Sequence, residues 1–293
     1  MKTKICIITL TLMLLLSCRQ TDEKKNKPLD KKQPAVKTFE QKEKERLKKR
    51  AEIEKQEKID SLNFEKALYD ALSIANLKIN NKKFQKKYKV RPGNEYELQV
   101  EINIDDYFTK SNPNLIIRTV GPMNVSIDIY SNNGKKLKKI LSHKQWTLTY
   151  VNDTIRDING DGLKDFVVNW YGATGCCLKA FCNIYLLRRD KKTFSKNFEF
   201  INPTFSPNEK IIRGVEYGHP GETEMYKFKW KGEAIDTLEY VYYDTDKEGK
   251  KTGKIVISKK RAYSKNKKDI KKLNSIPTEY TKIEGFDWFT GRF

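Results

Sequence analysis

Histidine is the scarcest of the residues that usually carry chemistry in this chain, with only His143 and His219 among 293 positions. A structural zinc site needs four suitably spaced ligands, so this shortage argues against one. No G-x-S-x-G elbow, H-E-x-x-H helix or phosphate-cradling glycine loop occurs, so the usual local signatures of nucleophilic, metallopeptidase and nucleotide chemistry are missing. Acidic charge is also short: 38 Asp plus Glu stand against 59 Lys plus Arg, a formal net charge of +21. Such a balance favours anionic partners through long-range steering. The lysines are spread through the N-terminal region, the hairpins and the Lys265-Asn266-Lys267-Lys268 stretch, with no DNA- or RNA-binding signature, so no nucleic-acid partner is expected. Anionic lipid head groups, an acidic envelope polymer or an unknown envelope protein fit better.

What is present begins with Met1-Lys2-Thr3-Lys4 followed by the apolar run Ile5 to Leu16. The run is shorter than the ~20 residues of a bilayer span and reads as a targeting signal over residues 1–17. It closes on Leu15-Leu16-Ser17-Cys18, which resembles a bacterial lipobox. That resemblance implies a lipoprotein whose Cys18 carries acyl chains such as palmitate, giving the lipid bilayer as one partner. A single chain anchors only marginally, whereas a multiply acylated cysteine anchors stably. The expected location is the cell envelope, as an outer-membrane lipoprotein facing the periplasm or the cell surface.

Residues 18–60 are dominated by lysine and glutamate, with Pro28 and Pro34 near the start. This composition cannot bury a core and predicts a charged tether followed, from Phe39, by a solvated helix with favourable three- and four-residue charge pairs. Leu47, Ile53 and Ile59 are too sparse for a sustained coiled-coil seam. Ser61 is expected to cap a new amphipathic helix carrying Phe64, Leu68, Ala71, Leu72 and Ala75. Another helical turn is expected over Lys82 to Tyr88, before Pro92-Gly93.

From Tyr96 onward short runs rich in β-branched and aromatic residues alternate with turn residues, and Asn133-Gly134 supplies a favoured hairpin turn. About a dozen strands are expected, including a last aromatic segment, Phe286-Asp287-Trp288-Phe289. Residues 61–293 therefore read as one mainly β domain preceded by a helix.

The stretch Asp157-Ile158-Asn159-Gly160-Asp161-Gly162-Leu163-Lys164-Asp165 places oxygen-bearing side chains at positions one, three, five and nine, with a glycine at six. A hard cation such as Ca²⁺ takes ~6–8 oxygen ligands at ~2.3–2.6 Å, and a loop of this spacing can supply them. The expected ligands are Asp157, Asn159, Asp161, the Leu163 carbonyl and Asp165. Position twelve, where an EF-hand carries a bidentate glutamate, is Val168, and a strand-like run follows in place of a second helix. A strand leaving such a loop resembles the calcium-loop half of FG-GAP and integrin-type repeats of β-propeller blades. The run from Thr154 through Val168 is also similar to lysozyme-inhibitor-like periplasmic proteins. Those resemblances imply antiparallel sheets in an incomplete propeller-like arrangement. The spacing is visible once, without the repetition of a full propeller. A related turn, Asp244-Thr245-Asp246-Lys247-Glu248-Gly249, has uncharged Thr252 at position nine and reads as a plain hairpin.

Cys176, Cys177 and Cys182 remain after the signal and Cys18 are set aside. In an oxidising compartment one of the vicinal pair could bridge to Cys182, the alternative being a buried cluster of thiols. The loop Tyr217-Gly218-His219-Pro220-Gly221-Glu222 is a candidate binding loop through His219 and Glu222. The function expected is a non-enzymatic, calcium-stabilised binding module. The alternatives are an inhibitor of a lysozyme-like enzyme or an envelope hydrolase in which His219 serves Ser206 with Asp236 or Glu222.

Overall fold

A computed structural model describes residues 38–93, 96–110, 113–172, 179–265 and 270–292. The signal run, Cys18, Cys176 and Cys177 lie outside the described residues. Helix α1 spans Phe39–Asn76 without a break, and it starts on a reciprocal cap. The Thr38 amide donates to Gln41 Oε1 at 3.0 Å and the Gln41 amide to Thr38 Oγ1 at 3.3 Å. Ser61 therefore sits inside α1 and caps nothing, because no glycine or proline interrupts the helix ahead of it.

The chain divides into two compact units between Glu54 and Lys55. The α1 residues up to Glu54 are solvated and carry intrahelical pairs such as Arg46–Glu43 and Arg50–Glu54. In the second unit the stripe Asn63, Ala67, Ala71 and Ala75 is buried at strict four-residue spacing. The three alanines are wholly buried against Leu98, Val100, Ile102, Leu115 and Ile117, with Phe64, Leu68 and Leu72 flanking them. Small side chains on this stripe let the helix backbone approach the sheet closely. Two tyrosines fix its position: Tyr88 donates to Asp70 at 2.7 Å and Tyr96 to Asp60 at 2.6 Å.

The second unit is mainly β, built as three consecutive antiparallel meanders in which each strand pairs with its sequence neighbour. The first sheet holds β1 (Phe84–Val90), β2 (Leu98–Asp105), β3 (Asn114–Val120), β4 (Asn124–Asn132) and β5 (Leu137–Trp146). The second holds β6 (Tyr150–Arg156), β7 (Asp165–Tyr171), β8 (Ala180–Tyr185) and β9 (Phe198–Ile201). The third holds β10 (Pro203–Ser206), β11 (Ile211–Val215), β12 (Met225–Lys231), β13 (Ala234–Thr245), β14 (Lys251–Ser258) and β15 (Lys271–Leu273). Each sheet stays open, so the described residues form no closed barrel.

Alternation along the strands sends successive side chains to opposite faces, and both faces of every sheet are covered. The face of the first sheet away from α1 meets the second sheet through Ile116, Ile127, Ile129, Phe166 and Val168. Val167, Ile184, Phe200, Ile212, Tyr226 and Trp230 join the second sheet to the third. Val215, Met225, Val241 and Ile255 on the third sheet's remaining face meet Tyr280, Ile283 and Phe289. Each large side chain buried there contributes ~1.5–3 kcal/mol. Across the first seam Arg118 donates to Asp153 through Nε at 2.8 Å, and Tyr150 adds a hydrogen bond to the same carboxylate at 2.7 Å. This meander of separate sheets is the incomplete propeller-like arrangement with a preceding helix.

Two segments differ from expectation. Phe84–Val90 is a strand in place of a helical turn, because on a strand paired with β2 the side chains of Phe84, Tyr88 and Val90 share one face and pack against the core under α1, while Lys87 and Lys89 pair with Glu101 and Glu97. Phe286–Thr290 is a short helix, α2, held between Gly285 and Gly291, both in the left-handed region. Among the described residues no helix is long and apolar enough to cross a membrane.

Candidate functional site

The Asp157–Asp165 segment is the hairpin connection between β6 and β7, with Arg156 paired to Asp165 at its base. Gly160 and Gly162 both adopt positive φ, 71° and 83°. Gly160 has a second constraint, since a Cβ there would stand 2.0 Å from the Pro207 carbonyl oxygen. The acidic side chains fold inward onto the loop's own amides. Asp157 accepts from Gly160 at 2.7 Å and from Gly162 at 2.9 Å. Asn159 Oδ1 accepts from Asp161, and Asp161 Oδ1 from Leu163 at 2.9 Å. Asp165 is wholly buried and bridges two elements: its oxygens accept from Ile158 in the loop and from Leu187 beyond β8, each at 2.9 Å.

Burial pushes the Asp165 carboxyl up to about 7; the two amides oppose that rise, while Asp161 and Asp157 add to it. The chemistry of the donor set fits a hard cation. Three carboxylates and an amide oxygen share one short loop, and each carboxylate offers about four lone-pair sites, of which the amides use part. The side chains are arranged as an amide-held turn, and among the described residues no group of three or more His, Cys, Asp or Glu converges as around an ion.

The His219 loop lies between β11 and β12 at the edge of a cavity of about 680 Å³ in the third sheet's region. Tyr217, Glu222, Tyr243, Lys251, Arg261 and Tyr263 are among its lining. The loop is tied down from both sides: Trp288 Nε1 donates to the Gly218 carbonyl and the Gly221 amide to the Trp288 carbonyl, each at 2.8 Å. His219 and Glu222 are exposed. Arg261 joins two acids of the lining, pairing with Glu216 and, at 3.0 Å, with Glu224. Burial raises the Glu224 carboxyl above its ordinary value, against the pull of the Ala262 amide and Arg261. These partners are 45 and 37 residues apart in sequence, so no local pattern announces the cluster.

The hydrolase constellation is not assembled. Ser206 pairs with Ile211, and Asp236 pairs with Lys229, which is itself opposite Ile211. His219 and Glu222 follow Val215, at the other end of β11. Four strand residues at ~3.3 Å each separate the two ends by ~13 Å. Ser206 takes a hydrogen bond from Arg213, and Asp236 pairs with Lys231 at 2.8 Å. Cys182 is a free, buried thiol that donates to Asn169 Oδ1 at 3.0 Å, and burial pushes its pKa up to about 11. The expected bridge from Cys176 or Cys177 to Cys182 has its other half outside the described residues.

No family model matches this chain, and no curated protein matches it. Among solved structures, one described as a Xanthomonas type IV secretion system related protein aligns at a TM-score of 0.32 with 14% identity, over 68% of this chain and 97% of that one.

Proposed function

We propose that this protein is a non-enzymatic binding module of a bacterial cell envelope, anchored through acylated Cys18 and stiffened by one Ca²⁺ at the β6–β7 connection. The reading is carried by the loop from Asp157 to Asp165, where an acidic donor set is positioned by two positive-φ glycines and its last carboxylate is buried at a joint between strands. Asp157, Asn159, Asp161, the Leu163 carbonyl and Asp165 are the residues that would hold the ion. When bound, Ca²⁺ supplies charge neutralisation among carboxylates that otherwise repel one another. The residues do the mechanical part: Asp165 ties the loop amide of Ile158 to that of Leu187, so ordering this loop also orders the connection leaving β8. Without a glutamate at position twelve the affinity is expected near ~10⁻⁴–10⁻³ M. The length of β11, ~13 Å, lies between the Ser206–Asp236 end of the sheet and the strand end that the His219 loop follows, which disfavours that particular hydrolase triad.

Thermal unfolding in millimolar Ca²⁺ against excess chelator tests the ion, with a rise of several degrees expected in Ca²⁺. An unchanged midpoint contradicts it. Mass measurement of the membrane-extracted protein tests the anchor; a Cys18 without acyl mass removes that part.

A further inference from the structure

At the junction of the first two sheets, Met123, Trp146, Leu148, Val151 and Tyr171 are all between 41% and 75% exposed. The backbone gathers them into one corner. Trp146 pairs with Asn124, and the Thr147 amide donates to the Met123 carbonyl at 2.9 Å, which brings the β3–β4 turn beside the end of β5. Leu148 sits in a tight turn closed by the Thr149 amide on the Trp146 carbonyl at 3.0 Å. Val151 falls where the β6–β7 register shifts between Tyr150 and Asn152, and the Tyr171 amide reaches the Thr149 carbonyl at 2.8 Å. Scattered single apolar residues on a surface need no explanation, but five that backbone pairing gathers at one corner do.

Charge tells which partner fits. Residues 121–125, 145–152 and 169–172 contain no aspartate or glutamate, exposed Lys144 adjoins the corner, and the chain as a whole carries +21. Tryptophan and tyrosine beside aliphatic side chains, with a lysine alongside and no acid among them, is the chemistry of a bilayer interface: aromatic rings at head-group depth, aliphatic groups at the acyl boundary, cations toward anionic lipid.

We propose that this corner docks the β unit onto a bilayer bearing anionic head groups. Leu148, Met123 and Val151 supply the apolar contact, Trp146 and Tyr171 the interfacial one, and Lys144 with the net positive charge the attraction. The envelope reading says only where such a bilayer is met; neither Ca²⁺ nor Cys18 acylation enters the contact, so either can fail without the other.

The test uses the chain from Arg19 to Phe293, which keeps every described element and lacks both the apolar run and Cys18. Co-sedimentation with phosphatidylglycerol–phosphatidylcholine vesicles is compared with phosphatidylcholine alone, alongside tryptophan emission. Binding to the anionic vesicles with a blue shift is expected, weakened by salt. Leu148→Asp should weaken binding about tenfold or more while leaving the melting temperature in place. Trp146→Phe should keep most of the binding and lose most of the blue shift. The proposal is overturned by an absence of anionic-vesicle binding, by undiminished binding of Leu148→Asp, or by a blue shift that survives Trp146→Phe. A solution dimer that Leu148→Asp dissociates would assign the corner to a second copy of the chain and overturn it equally.

Discussion

The Asp157–Asp165 loop and the Asp244–Gly249 turn start from nearly the same residues and end in different surroundings. Both close through carboxylates that accept backbone amides, and both use positive-φ glycine, Gly160 and Gly162 in one and Gly249 in the other. In the second turn Asp246 takes the Glu248 and Lys250 amides at 3.0 and 2.8 Å in the open. Its first acid, Asp244, is paired with Lys272 and takes the Thr252 hydroxyl. In the first turn the last acid is wholly buried and holds amides from two separate elements. Turn chemistry alone therefore makes a surface hairpin; burying the final carboxylate makes the turn a joint of the fold.

The largest expected break in this comparison is Asp165→Ala. It strands two buried amides, each costing ~1–3 kcal/mol, so denaturant unfolding should show a loss of about 3–5 kcal/mol. Asp246→Ala, on exposed amides, should cost no more than about 1 kcal/mol. A similar loss from both would erase the distinction. Next come the glycines. Gly160→Ala meets both positive φ and the Pro207 carbonyl, and should cost about 3 kcal/mol, whereas Gly249→Ala meets open space and should cost about 1 kcal/mol. Equal midpoints for the two variants in urea would show that the close approach to Pro207 has no energetic weight.

The smallest effect concerns pH. Lys272 and Thr252 hold the Asp244 carboxyl below its ordinary value. Because the folded pKa is depressed, the stabilisation is present above the unfolded carboxylate pKa of ~3.9 and fades as pH falls through the lower folded value. Lys272→Ala should flatten that acid limb slightly in a stability–pH curve. An unaltered limb would mean the pair is no more than a surface contact.

Much of this architecture was legible where one residue type dominates a local period. Leu98, Val100, Ile102 and Ile104 alternate cleanly, and the Asn133-Gly134 turn places β4 and β5 in register. The acidic loop was legible down to its glycines, because the spacing of its acids and glycines is local. What was not legible depends on distant partners. The lysine-rich run at β1 spaces Phe84, Tyr88 and Val90 four and two residues apart, which fits a strand face only once β2 and the core under α1 are there to receive it. Ser61 resembles a cap only locally, while the actual cap, Thr38 with Gln41, lies more than twenty residues earlier. Arg261 with Glu216 and Glu224, and the exposed corner around Leu148, are assembled by sheet pairing and leave no short motif. Asp165 is intermediate: its place in the loop is readable, but its burial and its reach to Leu187 are set by the packing of β7 against β8.

The most direct measurement is a calorimetric titration of Ca²⁺ into the chain from Arg19 to Phe293 at high protein concentration, for the natural sequence, Asp157→Ala with Asp161→Ala, and Asp244→Ala with Asp246→Ala. One ion per chain is expected in the first and third and none in the second. An ion bound equally by the Asp157/Asp161 variant, or no binding by the natural sequence at several millimolar Ca²⁺, would contradict it.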